Sequence, residues 1–242
     1  MLRSTVRATL TEADRDLAAA LLAAGSTARR AHLLARAEAE GADALWDDPH
    51  LVPALLAYRG LTAPSASLFV YALLRRLLLE IGIDDRPLTD YCASMVLAFG
   101  RRDRACRISE RDENRYEYLS DLLVEAERAA GERQFRVRVH LGDFSLWQAG
   151  LFPDYIAARR ARKGGPDLPY YEEVGASGFR LASGHSLAGR LGIGDVLRAA
   201  GEHFVELRVA LNRLSDRVMF PRYQSADRLM REVRDQVRFP AM

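Results

Sequence analysis

The sequence predicts an all-α protein, a multi-helix bundle of about nine to eleven helices with a long amphipathic C-terminal helix. Two observations carry this. Helix start and stop signals recur along the whole chain, and apolar residues between them return at spacings of three and four.

The elements follow in order. Thr11, with Asp14 three residues on, forms a capping box that opens a helix to about Ala24, and Gly25 stops it. Ser26 caps the next, which runs to Gly41. Asp48 before Pro49 reads as a cap followed by a proline in the first turn. Pro64 and Ser65 start a strongly apolar helix ending at Gly82, and Pro87 to Phe99 forms another, closed by Gly100. A helix over 112–130 carries Tyr116, Leu119, Leu123 and Ala126 on one face. Pro153 begins a short helix ended by Gly164 and Gly165, and Pro169 begins another. Over 195–218, Leu197, Phe204, Leu207, Leu211, Leu214 and Val218 repeat at heptad-like spacing behind Asp195, which reads as a cap. A tail carries Leu229, Val233 and Val237 at intervals of four.

One stretch disagrees. Phe135, Val137, Val139 and Leu141 alternate with Arg136, Arg138 and His140, which is a strand pattern. A lone strand has no partner for its backbone groups, so 134–150 is expected to be helical. Residues 101–115 break the apolar pattern: ten of the fifteen are charged. They read as a charged connection between an N-terminal helical layer (1–100) and a C-terminal one (116–242), which together can form one continuous domain.

Composition bounds the function. The 242 residues are 49% hydrophobic and 28% charged, an ordinary globular balance with a net charge of +2. Lys163 is the only lysine. The arginines are spread along the chain, as bacterial-type base composition would spread them, so a nucleic-acid partner is not expected. Cys92 and Cys106 have no metal-ligand spacing and make no disulfide framework, which suits the reducing cytoplasm. The short apolar stretch 17–24 follows Asp14 and Asp16 and makes a poor signal peptide. No run suits a membrane span, because 68–83 is interrupted by Arg75, Arg76 and Glu80.

Several groupings could carry chemistry. On a helix, His140 and Asp143 share a face, with Arg136 and Trp147 one turn to either side. An imidazole oriented by a carboxylate can act as a general base, though a hydrogen-bonded packing cluster explains the same residues. Glu113, Glu117, Asp121 and Glu125 form an acidic stripe, read as a solvated face, and Glu202, His203 and Glu206 flank the heptad seam. Asp84, Asp85 and Asp90 have some of the spacing of an aspartate-rich magnesium motif but fall at a break between helices, where aspartates cap turns. His32, His50, His140, His185 and His203 show no ligand spacing, so neither a metal nor a cofactor is expected.

Residues 144–179 hold seven of the twenty aromatics, with Arg159, Arg160 and Arg162 among them. Trp147, Tyr155, Tyr170, Arg159 and Arg160 are therefore the expected binding residues, unless these rings only fill the core. The leading expectation is a helical protein–protein interaction or regulatory protein, with a protein partner or a homodimer. The alternative is an all-helical enzyme or small-ligand-binding protein built around Arg136, His140 and Asp143.

Overall fold

The structure, a computed structural model, describes residues 5–60, 63–101, 103–109, 112–223 and 225–240. Among these there are fourteen α-helices and no strand. The number exceeds nine to eleven because some helices are single turns and because one expected helix is divided. The chain separates into two compact units, Met1–Leu97 and Ala98–Met242.

The first unit opens with a 3-10 turn at Arg7–Thr9, followed by α1 (Glu12–Ala23), α2 (Thr27–Glu40), α3 (Asp43–Trp46), α4 (Leu51–Ala57) and α5 (Ala66–Glu80). Helix α6 (Arg86–Phe99) starts in this unit and ends in the second. Thr11 and Asp14 make the expected capping box, and Ser26 and Ser65 accept from the third residue beyond them. Asp48 instead accepts from the His50 amide, so α4 starts two residues later than Pro49 suggests. Asp85 caps the first turn of α6 through the Leu88 amide. The core is aliphatic, with Leu22, Leu45, Leu51, Leu68 and Leu78 buried. Arg75 is buried within it, held by Asp47 at 2.8 Å and by Asp84, and Arg86 braces Asp47 from the other side. The aspartates at 84 and 85 thus serve an internal ion pair and a cap.

The second unit contains α7 (Leu119–Arg128), α8 (Gly131–Leu151), α9 (Pro153–Lys163), α10 (Leu168–Ser183), α11 (Ser186–Arg190), α12 (Gly194–Glu202), α13 (Phe204–Leu214), a π-helical turn (Ser215–Met219) and α14 (Ala226–Arg238). Its central helix is α8, which includes the alternating stretch. Phe135, Val137, Val139 and Leu141 are all buried, because α8 is surrounded on most sides and a buried helix need not be amphipathic. Helices α8 and α10 pack closely enough to need glycine. A Cβ on Gly178 would stand 2.9 Å from the Arg138 carbonyl oxygen and 3.0 Å from the Gly142 amide nitrogen.

Two expected helices differ in extent. Residues 112–118 are not helical, and α7 begins only at Leu119. The Tyr116 amide donates to the Cys106 carbonyl, and Arg133 holds both the Asp112 carboxylate and the Tyr116 hydroxyl. Glu113 and Glu117 therefore share no helical face with Asp121 and Glu125. Over 195–218 the helix stops at Glu202 and restarts at Phe204. Leu197, Phe204, Leu207, Leu211 and Leu214 are nonetheless all buried, since a break in the backbone need not displace a spaced apolar stripe. Asp195 sits inside the first turn of α12, paired with Arg198, and does not cap it. Positions 102, 110 and 111 of the charged connection lie outside the described residues.

Candidate functional site

The residues singled out in the sequence do not converge. His140 and Asp143 are buried on α8, and both are engaged by neighbours. The His140 ring lies 5.4 Å from that of Phe99 and 6.3 Å from that of Phe144, an aromatic setting typical of packing. Arg136 is on the exposed side of the same helix, in an i, i+4 pair with Glu132. Trp147 is partly buried between Phe99 and Phe152. Phe144, Tyr171 and Phe179 are core residues, while Tyr155 and Tyr170 are 52% and 40% exposed. Arg159 stacks its guanidinium 4.5 Å from the centre of the Tyr118 ring, and Arg160 pairs with Asp167 at 2.9 Å.

The second unit does contain a concave site, elsewhere. A cleft of about 790 Å³ lies between α9, the start of α10, α13 and α14. That volume is within the usual range for small-molecule sites. Pro153, Ile156, Ala157 and Ala161 of α9, Leu168 and Pro169 of α10 and Met230 of α14 supply its apolar wall. The local sequence explains these elements. Phe152 ends α8, and Pro153 starts α9 in the first turn, where its missing N–H costs nothing. Gly164 ends α9 in the left-handed conformation that glycine adopts without strain. Asp167 then caps α10 by accepting from the Tyr170 amide at 3.1 Å.

The charged wall is built around two buried arginines. The Arg208 side chain is 6% exposed. Its Nε donates to Glu172 at 2.8 Å, and its Nη1 donates to Asp235 and to Asn212. Asn212 in turn donates to the Ala149 and Gly150 carbonyls at the end of α8, fixing α13 there. The second nitrogen of the fork, Nη2, has no hydrogen-bond partner among the described residues, and Arg208 lines the cleft. Arg231 grips Asp216 with both terminal nitrogens, at 3.0 and 3.1 Å, and stands 4.0 Å from Asp154. Burial pushes the Asp154 carboxyl above the ordinary aspartate range, against the pull of Arg231. At the rim, Arg234 and Arg238 lie one turn apart and have no carboxylate partner among the described residues.

This arrangement can recognise a polar ligand. It offers a guanidinium nitrogen of Arg208 with no partner among the described residues, two guanidinium groups without a carboxylate partner at the mouth, and an apolar wall. No imidazole, thiol or hydroxyl side chain lines it among the described residues. The sequence could not have shown this site directly, because its walls come from four separated segments. Of the expected binding residues, Arg160 reaches the cleft, whereas Trp147, Tyr155, Tyr170 and Arg159 do not line it. Among the described residues no helix is long and apolar enough to cross a membrane. Comparison with protein-family models, curated proteins and solved structures returned no match for this chain.

Proposed function

We propose that this is a helical small-ligand-binding protein, and that the cleft between α9, α10, α13 and α14 takes a small polar molecule carrying an anionic group, a carboxylate or a phosphate. The observation that carries this reading is Arg208, a buried cation on the cleft wall with one nitrogen of its fork unfilled. Folding has already met the cost of desolvating it, through Glu172 and Asp235, so an incoming acceptor finds a fixed donor. Arg234 and Arg238 would close on the anionic group at the mouth. Among the described residues the lining offers, apart from its carboxylates, neither a nucleophile nor a proton-transfer group, which favours recognition. This replaces Arg136, His140 and Asp143 as the centre of the ligand-binding reading. We place the protein in the cytoplasm, since both cysteines are free thiols. A role in protein association stands beside this reading on one observation, the apolar outward face of α14.

The test is thermal denaturation against a panel of anionic metabolites, comparing wild type with Arg234→Ala/Arg238→Ala. A ligand present at about 100 times its Kd adds roughly 2.7 kcal/mol, enough to raise the melting temperature by several degrees. The double variant should melt like wild type when free and lose most of the ligand-induced rise. A rise that survives the double substitution, or no rise with any compound, would count against the proposal.

A further inference from the structure

The cleft carries two carboxylates for which the fold supplies no donor. Asp154, in the first turn of α9, has a side chain 23% exposed and accepts no hydrogen bond among the described residues. Its nearest cation, Arg231, stands 4.0 Å away and uses both terminal nitrogens on Asp216. Burial thus removes water from Asp154 without replacing it. Asp227, in the first turn of α14, is exposed and has neither an ion pair nor a hydrogen bond among the described residues. Arg231 lies one turn beyond Asp227, so the two aspartates stand at the same end of the cleft. Positive charge collects two turns further along α14. Arg234 and Arg238 have no carboxylate partner among the described residues. Beside them Asp235 holds Arg208, whose side chain is 6% exposed and whose Nη2 has no partner among the described residues. Asp227, Arg234 and Arg238 fall within about 40° of one another around α14, so all three project from one face.

We propose that the ligand of this cleft is a linear ω-amino carboxylate, its ammonium held by Asp154 and Asp227 and its carboxylate by Arg208, Arg234 and Arg238. This rests on the cleft being the site for an anionic group, and it adds the ligand's second charge and the distance between the two. The spacing sets the length. Asp227 and Arg234 lie about 10.5 Å apart along the helix axis, and Arg238 stands ~6 Å further on. A chain of about five methylenes, at roughly 1.2 Å per bond, separates its end charges by ~7 Å, and a hydrogen bond of ~3 Å at each end extends the reach to ~13 Å, between those two positions. Met230 lies between Asp227 and Arg234 on α14, and Ile156 and Ala157 lie between Asp154 and Arg160 on α9, so the methylenes meet an apolar wall. A metal ion does not suit the acidic end, since among the described residues no three carboxylates, imidazoles or thiols gather to hold one. A plain carboxylate of the same length would set its methyl end against Asp154 and desolvate it further. An ammonium there brings the donors that Asp154 lacks.

The experiment is isothermal titration calorimetry of the full chain with ε-aminocaproate, caproate and pentylamine. The ε-aminocaproate should bind about tenfold more tightly than either of the others, because each of them lacks one charged end. Asp154→Asn is isosteric at a side chain that makes no hydrogen bond among the described residues. It should leave the circular dichroism spectrum unchanged and bring ε-aminocaproate down to the affinity of caproate. Asp227→Asn, at an exposed position, should weaken ε-aminocaproate and leave caproate as it was. Caproate bound as tightly as ε-aminocaproate, and lost in Arg234→Ala/Arg238→Ala, would overturn the inference while leaving the anion site standing. Binding of ε-aminocaproate that survives both aspartate substitutions would overturn it, as would no binding of ε-aminocaproate to wild type. The panel of anionic metabolites then decides separately whether the cleft takes an anion.

Discussion

Replacing Gly178 by alanine tests the scaffold that holds the cleft. The new Cβ would stand 2.9 Å from the Arg138 carbonyl oxygen and 3.0 Å from the Gly142 nitrogen. Both are backbone atoms of α8 and cannot rotate away, so α10 must move off α8 by some tenths of an ångström. That shift loosens Phe179 against Gly142 and Gly175 against Phe204 and Ser145, which are packed as tightly. Overpacking of this kind costs about 1–3 kcal/mol, and alanine returns up to ~1 kcal/mol through helix propensity. The net loss is therefore about 1–2 kcal/mol, which lowers the melting temperature by roughly 2–8 °C in a chain of this size. Gly189→Ala is the control. A Cβ there meets nothing within 4 Å, so the same change should be neutral or slightly stabilising. Calorimetry or urea denaturation reads both. If Gly178→Ala melted at or above wild type, α8 and α10 would not be in backbone contact, and the geometry of the cleft wall would have to be abandoned.

Other outcomes follow from the same packing. Leu207→Asp places an unpaired charge in the buried α13 stripe and should abolish folding of the second unit, seen as loss of cooperative melting. Asp47→Asn leaves the buried Arg75 with Asp84 as its remaining carboxylate and should cost ~3 kcal/mol by denaturant titration. Burial works to raise the Asp47 carboxyl, but the Arg75 and Arg86 hydrogen bonds overcome it and hold the group below the ordinary range. A depressed carboxylate contributes stability that is complete above its unfolded value of about 4 and is lost as pH falls through the folded value. Wild type should therefore weaken with acid over that window, and Asp47→Asn should weaken less steeply. Tyr155→Ala and Tyr170→Ala, at half-exposed positions, should each change stability by less than about 1 kcal/mol.

The helical class and many helix ends were legible because they depend on local chemistry. Thr11 with Asp14, Ser26, Ser65 and Pro153 act within one turn of chain, and their effect does not depend on the rest of the fold. The strand-like alternation at 135–141 lies in α8, where each backbone group finds a partner that a lone strand would lack. What stayed hidden depends on partners distant in sequence. Spacing shows that Leu229, Val233 and Val237 share a helical face, but not that this face points outward. The outcome is decided by Asp216, which draws Arg231 inward and binds Arg228 through its carbonyl. Arg208 was likewise invisible as a cleft residue, since Glu172 and Asp235 lie 36 and 27 positions away. Arg136 and His140 lie one turn apart, yet four residues advance a helix about 40° past a full turn, enough for one to pair with Glu132 at the surface while the other is buried.

The most direct test of the cleft as the binding site is hydrogen–deuterium exchange on the full chain, with and without the anionic compound that most raises the melting temperature. Exchange should slow in α9, in the first turns of α10 and in α14, the elements that wall the cleft. Protection confined to the α8 segment around His140 and Asp143, or to the first unit, would contradict it.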